Sequence, residues 1–368
     1  MRPPVFLTGA TGFLGMEVLA RLLERGDNVI ALVRAEDDAR AEDRLYGVLG
    51  TIWRDPSRYH DRVRAVAGDV TSDGLGLDPT ARTALAEEVG SVMHCAASIA
   101  FDLPLEDARA INVEGTREVI GFARECKALG RLERFVHVST AYVSGKQSGT
   151  FRERQLDAAQ EFRNTYEQTK WEAEHVVMAA SDLAPAIARP SIVMGESDTG
   201  WTPAFNVLYW PLRAFSRGLF DEIPALPAAH VDVVPVDYVA DALVHLLDID
   251  DQGVFNLVAG RDAPLANELV ELACDRFDRP RPEVKPTGAV PDGDETGAVY
   301  LPYFDMDVLF DDRRARAALA PAGIEPPRLA QYFDRLIDYA EAVRWGKRSM
   351  SREEAREWRA EEAEAAAA

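Results

Sequence analysis

Apolar and polar positions along the first 195 residues alternate between two rhythms. Short apolar runs at 5–8, 29–33, 63–67, 91–95, 135–139 and 186–189 read as strands. Between them the period lengthens. Residues 13–25 bring Leu14, Val18, Leu19 and Leu22 to one side of a helix, and further helical stretches fall near 35–49, 80–89, 105–129 and 165–180. Strands alternating with helices imply βαβ units, because a parallel pair needs a crossover and the crossover helix must bury its apolar stripe on the sheet. The predicted fold class is α/β, a doubly wound parallel sheet covered on both faces.

After Gly195 the rhythm changes. Residues 202–219 are aromatic-rich and read as a helix, 231–234 as a short strand, and 237–247 as an amphipathic helix with Asp237 as its N-cap. A strand at 253–258 and a helix at 266–277 follow. The Pro/Gly/acid-rich stretch 279–297 reads as a loop or flap, and 307–342 as helical again. The predicted organisation is a dinucleotide-binding unit at 1–195, a smaller α/β substrate lobe at 196–345 interleaved with that core, and a charged tail at 346–368. The tail reads as a solvated helix or a disordered segment.

Composition narrows the function. A formal charge of -21 and a sequence pI near 4.8 argue against a nucleic-acid partner, since a polyanion would be repelled. Cys95, Cys126 and Cys274 are too few and too scattered for a disulfide framework or a cysteine-rich metal site, so no metal is expected and a reducing compartment fits best. The N-terminal apolar run is broken by glycines within a few residues. It lacks a signal-peptide pattern and the roughly 20 consecutive apolar residues of a membrane span, so the default reading is cytoplasmic.

Chemistry enters at the first strand–helix junction. Thr8-Gly9-Ala10-Thr11-Gly12-Phe13-Leu14-Gly15 sets G-x-x-G-x-x-G where the first strand turns into the first helix. Glycines there permit a tight turn and let the backbone approach a pyrophosphate, while the helix N-terminus offers unpaired N–H groups and the positive end of its dipole. A plain strand–turn–helix junction would use glycine too; chain position and flanking elements favour the nucleotide. At the end of the second strand stands Arg34. An acidic residue there would hold the ribose 2′-OH of NAD, whereas an arginine suits the 2′-phosphate of NADP. Arg44, on the following helix, is placed to assist.

Tyr166 and Lys170 stand four apart in a helical stretch and share a face. A free phenol, titrating near 10, is a poor acid–base group at neutrality; a nearby ammonium stabilises the phenolate. The spacing is common by chance and gains weight from its position after a fifth strand ending in Ser139-Thr140. Hydroxyls at the C-terminal end of a parallel strand lie where ligands bind, and can stabilise charge on a carbonyl oxygen. Both qualify, with strand-end capping as the plainer alternative. His137, alternating with apolar neighbours, reads as a packed histidine and not as a base.

Taken together, these residues resemble the extended short-chain dehydrogenase/reductases, and more narrowly their fatty acyl-CoA reductase and thioester reductase branch. The resemblance rests on TGATGFLG at 8–15, LVRA at 32–35, RVRAVAGDV at 62–70, HCAASIAFD at 94–102, INVEGT at 111–116, VSTAYVSG at 138–145, YEQTKWEAE at 166–174 and ARPSIVMGES at 188–197, with VVPVDYVADAL at 233–243 in the lobe. It implies a Rossmann fold in which Gly9, Thr11, Gly12, Phe13, Leu14 and Gly15 line the pyrophosphate and Arg34 meets the 2′-phosphate. Asp69 and Val70 would flank adenine, Ala96 and Ala97 would lie near the ribose, and Asn112 would brace that region. Thr140, Tyr166 and Lys170 would be the catalytic three. Lys170 would also hold the nicotinamide ribose, and Pro190, Ser191 and Val193 would border the carboxamide. The implied activity is NADPH-dependent reduction of an acyl thioester, carried on CoA or a carrier protein, to aldehyde or alcohol. Ketone or hydroxysteroid reduction, and less readily sugar-nucleotide epimerisation, use the same three residues. Family members often carry a further C-terminal domain or sit behind a carrier protein; neither is visible, and the chain reads as free-standing. The segment 205–215 suits an apolar acyl channel or a core helix equally, and Arg213 and Arg217 read as solvated charges before phosphate anchors.

Overall fold

The computed structural model describes residues 2–157, 159–205, 207–286 and 301–367. Its strands are β1 (Val5–Thr8), β2 (Val29–Val33), β3 (Val63–Ala67), β4 (Ser91–His94), β5 (Arg134–Val138), β6 (Gly149–Phe151), β7 (Ala186–Pro190), β8 (Ile192–Met194), β9 (Glu222–Pro224), β10 (Val233–Pro235), β11 (Gly253–Leu257), β12 (Glu283–Lys285) and β13 (Val308–Phe310). Its helices are α1 (Phe13–Arg25), α2 (Asp38–Ile52), α3 (Pro79–Glu88), α4 (Leu105–Arg109), α5 (Gly115–Ala128), α6 (Thr165–Ala179), α7 (Tyr209–Ser216), α8 (Val236–Leu246), α9 (Ala266–Phe277), α10 (Arg313–Leu319), α11 (Phe333–Ala342) and α12 (Arg352–Ala367).

Seven strands form one sheet in the order β11-β7-β5-β4-β1-β2-β3, every neighbouring pair parallel. Successive residues face opposite sides. Phe6 buries with Ile30, Val92 and Phe135 against Ile120 and Phe122 of α5, while Leu7 buries with Ala31 and Met93 against Leu19 and Leu22 of α1 and Leu243 of α8. Each such side chain contributes about 1.5–3 kcal/mol on burial. The order reverses between β1 and β4, and the crevice beyond the C-terminal strand ends at that reversal is where doubly wound sheets bind ligands. The chain beyond residue 195 returns to this core: β11 forms a sheet edge and α8 packs on α1. A second apolar cluster, including Tyr142, Phe151, Leu212, Val233, Phe310 and Phe333, fills the lobe. Its three short strand pairs, β6 with β13, β8 with β10 and β9 with β12, are parallel too.

Several expected elements differ. The helix expected from residue 35 starts at Asp38, because the Asp37 carboxylate caps it by accepting from the Arg40 N–H at 2.8 Å. The stretch 105–129 is not one helix: α4 passes through a π turn, Ala110–Glu114, into α5. The helix expected over 202–219 shrinks to α7, since Pro211 has no N–H to donate and its ring tolerates only about one helical turn before it. Asp237 is not an N-cap; α8 begins at Val236, and the Asp237 carboxylate accepts from the Ser197 N–H at 2.9 Å. Residues 307–342 open with β13 and are interrupted between α10 and α11, where Pro321, Gly323, Pro326 and Pro327 stand. Within 279–297 the chain forms β12, and 287–297 lie outside the described residues. Among the described residues no helix is long and apolar enough to cross a membrane.

The tail takes the helical form of its two expected alternatives, α12, but the start of that helix is buried. α12 lies against the first unit, and Arg352 is 1% exposed. Its guanidinium pairs with Glu17 of α1 at 3.3 Å, with Glu24, and with Glu196 at 3.9 Å, and stands 5.7 Å from the Trp53 ring centre. Glu17 and Glu196 are buried as well, and burial beside Glu17 pushes the Glu196 carboxyl up. Removing the cation takes from the buried Glu17 and Glu196 carboxylates one of two cationic partners, Arg21 and Arg356 remaining, a defect at the lower end of the roughly 3–5 kcal/mol for breaking a buried pair. Arg352→Met is therefore expected to lower the urea unfolding free energy by about 3 kcal/mol; a change below about 1 kcal/mol would mean that α12 is not held by this contact.

Candidate active site

The turn between β1 and α1 is built from backbone alone. Gly9 takes φ +76°, and its carbonyl accepts from the Gly12 N–H at 2.9 Å. A Cβ at Gly15 would fall 2.0 Å from the Gly9 oxygen, and one at Gly9 2.6 Å from the Ala96 nitrogen. The turn thus packs too closely for any side chain at either position. α1 has Gly12 as its N-cap and no side chain capping its first turn, so its N–H groups and dipole face the crevice. Thr8 fastens this turn to the loop after β4: its hydroxyl accepts from the Ala96 N–H at 3.2 Å and pairs with His94 Nδ1 at 2.7 Å. A cradle that excludes Cβ atoms, beside an uncapped helix N-terminus, fits a dinucleotide pyrophosphate.

From this turn a cleft of about 370 Å³ runs across the ends of β4, β5 and β7. Gly9, Gly12, Phe13, Leu14, Gly15, Ala97, Thr140, Tyr166, Lys170, Pro190, Ser191 and Val193 all line it. The tyrosine hydroxyl hydrogen-bonds Thr140, and burial pushes the phenol up to about 12 against that bond. Lys170 Nζ donates to the Val138 carbonyl at 2.7 Å. Burial pulls its ammonium down to about 8, with Glu174 opposing. In this arrangement the phenol therefore lies above its ordinary range, because desolvation outweighs the hydrogen bond that favours the phenolate.

Other expected residues lie away from the cleft. Arg34 is exposed, and Arg44 donates to the Arg34 carbonyl. Asp69 turns into its own loop, accepting from the Thr71 N–H and hydroxyl at 2.9 Å each. Val70 is half-buried beside Gly115, and Thr11 is half-buried in the glycine turn. Ala96 meets the site through its backbone, which packs on Gly9 and donates to Thr8. Asn112 braces the 95–104 loop: its Oδ1 accepts from the Ser98 N–H at 2.8 Å and its Nδ2 donates to Thr169 of α6 at 2.9 Å. The Ser139 hydroxyl is turned away to Glu174, to which it donates at 2.7 Å, whereas the Thr140 hydroxyl makes only longer backbone bonds, donating to the Pro190 carbonyl at 3.4 Å and accepting from the Tyr142 N–H at 3.3 Å. His137 is fully buried with neither ring nitrogen hydrogen-bonded, and burial drives it well below its usual range, so it stays neutral and packed.

Three aromatic walls were not anticipated: Phe101, Tyr142 and Tyr303. Phe101 lies 5.7 Å from the Tyr166 ring and 5.5 Å from Tyr303, and Tyr142 meets Tyr303 edge-on at 4.8 Å. The Tyr303 hydroxyl accepts from Asn164, the N-cap of α6, at 2.9 Å. Of the segment 205–215, Val207 reaches the cleft, while Leu208, Leu212 and Phe215 pack in the lobe core. Arg213 is half-buried with an unpartnered Nε, not a fully solvated charge, whereas Arg217 is exposed.

Fold, glycine turn and cleft define an extended short-chain dehydrogenase/reductase of the acyl-CoA and thioester reductase branch, a class of oxidoreductases that use a nicotinamide cofactor. A family model described as male sterility protein, an NAD-binding domain, matches residues 7–243, and the chain belongs to that family. A nonribosomal peptide synthetase of Aspergillus flavus, asaC, is 34% identical over 259 residues, covering 66% of this chain and 24% of that protein. Human fatty acyl-CoA reductase 1 is 31% identical over 274 residues, covering 64% and 53%. The chain thus spans about a quarter to a half of the length of these relatives. Among solved structures, the terminal R domain from the myxalamid PKS-NRPS pathway superposes with a TM-score of 0.81 at 26% identity, covering 94% of this chain and 92% of that one. A UDP-glucuronic acid 4-epimerase from Bacillus cereus, in complex with NAD, shares the fold at a TM-score of 0.66 and 17% identity, covering 93% and 98%.

Gly15→Ala tests the cradle. The added methyl must push the Gly9 carbonyl out of the turn, so reduced-dinucleotide affinity, read by fluorescence titration, is expected to fall at least tenfold, about 1.4 kcal/mol. Unchanged affinity would remove the turn from cofactor binding.

Proposed function

We propose that this chain reduces an acyl thioester with NADPH, releasing a thiol and an aldehyde that can be taken on to the alcohol. The observation that carries the reading is the hydrogen-bonded Thr140–Tyr166 pair opening into the same cleft as the glycine turn. A reduced nicotinamide dinucleotide held by that turn supplies the hydride. Thr140 and Tyr166 donate hydrogen bonds to the thioester oxygen as it becomes anionic, and Tyr166 gives it a proton. The resulting hemithioacetal expels the thiol. A phenol held high by burial is a reluctant acid towards water but remains protonated and ready to donate when a stronger base forms beside it. Lys170, drawn towards Tyr166 by the developing phenolate, stabilises the anion left behind. The aromatic wall of Phe101, Tyr142 and Tyr303 suits an apolar acyl group better than a sugar. Arg34, exposed at the end of β2, is our candidate for the 2′-phosphate, with Arg44 fixing its backbone. The three cysteines, all unpaired, suit a reducing compartment such as the cytoplasm.

Tyr166→Phe is expected to lower thioester turnover at least about 100-fold while leaving the NADPH dissociation constant within about twofold. Near-normal turnover would overturn the mechanism. In a dinucleotide-oxidation screen, acyl-CoA thioesters are expected to be consumed ahead of ketones, steroids and sugar nucleotides; mass analysis of the products checks this. Arg34→Glu is expected to swing the NADPH-to-NADH preference at least about tenfold towards NADH, about 1.4 kcal/mol. A constant ratio would strike Arg34 from the site.

A further inference from the structure

Between the sheet and α6 lies a buried polar seam that the chemistry above leaves unused. Glu174 stands one turn beyond Lys170 on α6, at the i,i+4 spacing that puts both on one face. Its carboxylate is fully buried, as is the Arg189 guanidinium of β7 that pairs with it. Arg189 Nε donates to the two carboxylate oxygens at 3.0 and 3.1 Å, and its terminal nitrogens donate to the carbonyls of Glu153 at 3.4 Å and Gln155 at 2.9 Å. From the end of β5, Ser139 donates to the same carboxylate at 2.7 Å. Stability does not account for such a pair, because well-packed apolar residues in its place are often neutral or better.

The neighbouring ammonium offers the reason. Lys170 is faced by Tyr166 and Glu174 from its own helix, by His94 and Cys95 at the end of β4, and by His137 of β5. Burial holds both imidazoles neutral, His94 down to about 3, and pushes the Cys95 thiol up to about 12. Among these described neighbours, the ion-paired carboxylate of Glu174 is the one that brings negative charge. We propose that Glu174, fixed by Arg189 and Ser139, is a positioning residue that keeps Lys170 protonated in its buried seat and so sets the highest pH at which the site works. The inference rests on the Tyr166/Lys170 reading given above and extends it one helical turn.

The direction follows from sign. Desolvation disfavours the ammonium and Glu174 favours it, so neutralising Glu174 lets Lys170 lose its proton at lower pH. The chain has five lysines, Lys127, Lys146, Lys170, Lys285 and Lys347, so full-length protein labelled at lysine Cε gives few resonances to follow by NMR. Lys170→Arg assigns the one at issue. In the wild type that resonance is expected to titrate well below the other four. In Glu174→Gln its midpoint is expected to fall by about one unit or more, and in Glu174→Asp to recover part of that fall. The alkaline limb of the kcat/KM profile moves with it. Should Glu174→Gln fail to fold, Glu174→Asp, which withdraws the charge by one methylene while keeping it, must by itself place the midpoint below that of the wild type. An unmoved Lys170 midpoint in a folded variant overturns the inference, even if thioesters are turned over. Absence of any thioester turnover overturns the proposed function instead, and the NMR titration still decides the role of Glu174.

Discussion

One steric fact organises this molecule: the Gly9 carbonyl and the α-carbon of Gly15 approach so closely that no side chain fits between them. That contact pulls the start of α1 onto the end of β1, and Thr8 locks the same corner to the loop after β4. The N–H groups that would otherwise need a side-chain cap are left facing the crevice at the sheet reversal. The strand order puts β5 and β7 one and two places beyond β4, so hydroxyl, phenol and ammonium arrive along the same crevice. The active-site candidates are thus a consequence of sheet topology meeting a turn that only glycine can make.

The electrostatics of the site are governed by burial more than by neighbouring charges. Tyr166 and Lys170 are both pushed towards their neutral forms, as are His94 and His137. A pocket in which every titratable group leans to neutrality holds little fixed charge before the reaction, and interactions within it are correspondingly strong when charge develops. The buried Glu174–Arg189 pair is the exception, and its place one turn from Lys170 gives it leverage that a surface pair of equal geometry would lack.

Much of this was readable from residue patterns, for physical reasons that also explain what was not. The central strands are apolar on both faces and bounded by turns, so their limits fall within a residue or two; the glycine turn announces itself by three glycines at fixed spacing between the first strand and the first helix. The three-residue strands β6, β8 and β13 carry no periodicity, since their pairing partners lie 40 or more residues away in sequence. Tyr303 had no local signal: its role depends on Asn164 and Phe101, residues distant along the chain. Glu174 sits inside a recognisable phrase, yet nothing local distinguishes its carboxylate from a solvent-facing helix charge, because its partner Arg189 lies on β7. Arg352 was missed for the same reason, a single buried cation in a segment whose other charges mostly face solvent.

The attachment of α12 has a bearing on synthesis. Glu17 lies in the helix that follows the glycine turn, and its cation Arg352 stands 335 residues later in sequence. Until Arg352 has been made, Glu17 has only its own helix's Arg21 as a cation, and the sheet edge supplied by β11 is likewise absent until residue 257 has been made. The nucleotide-binding unit therefore reaches its full stability only after α12 has been made and has docked on α1, more than 300 residues downstream.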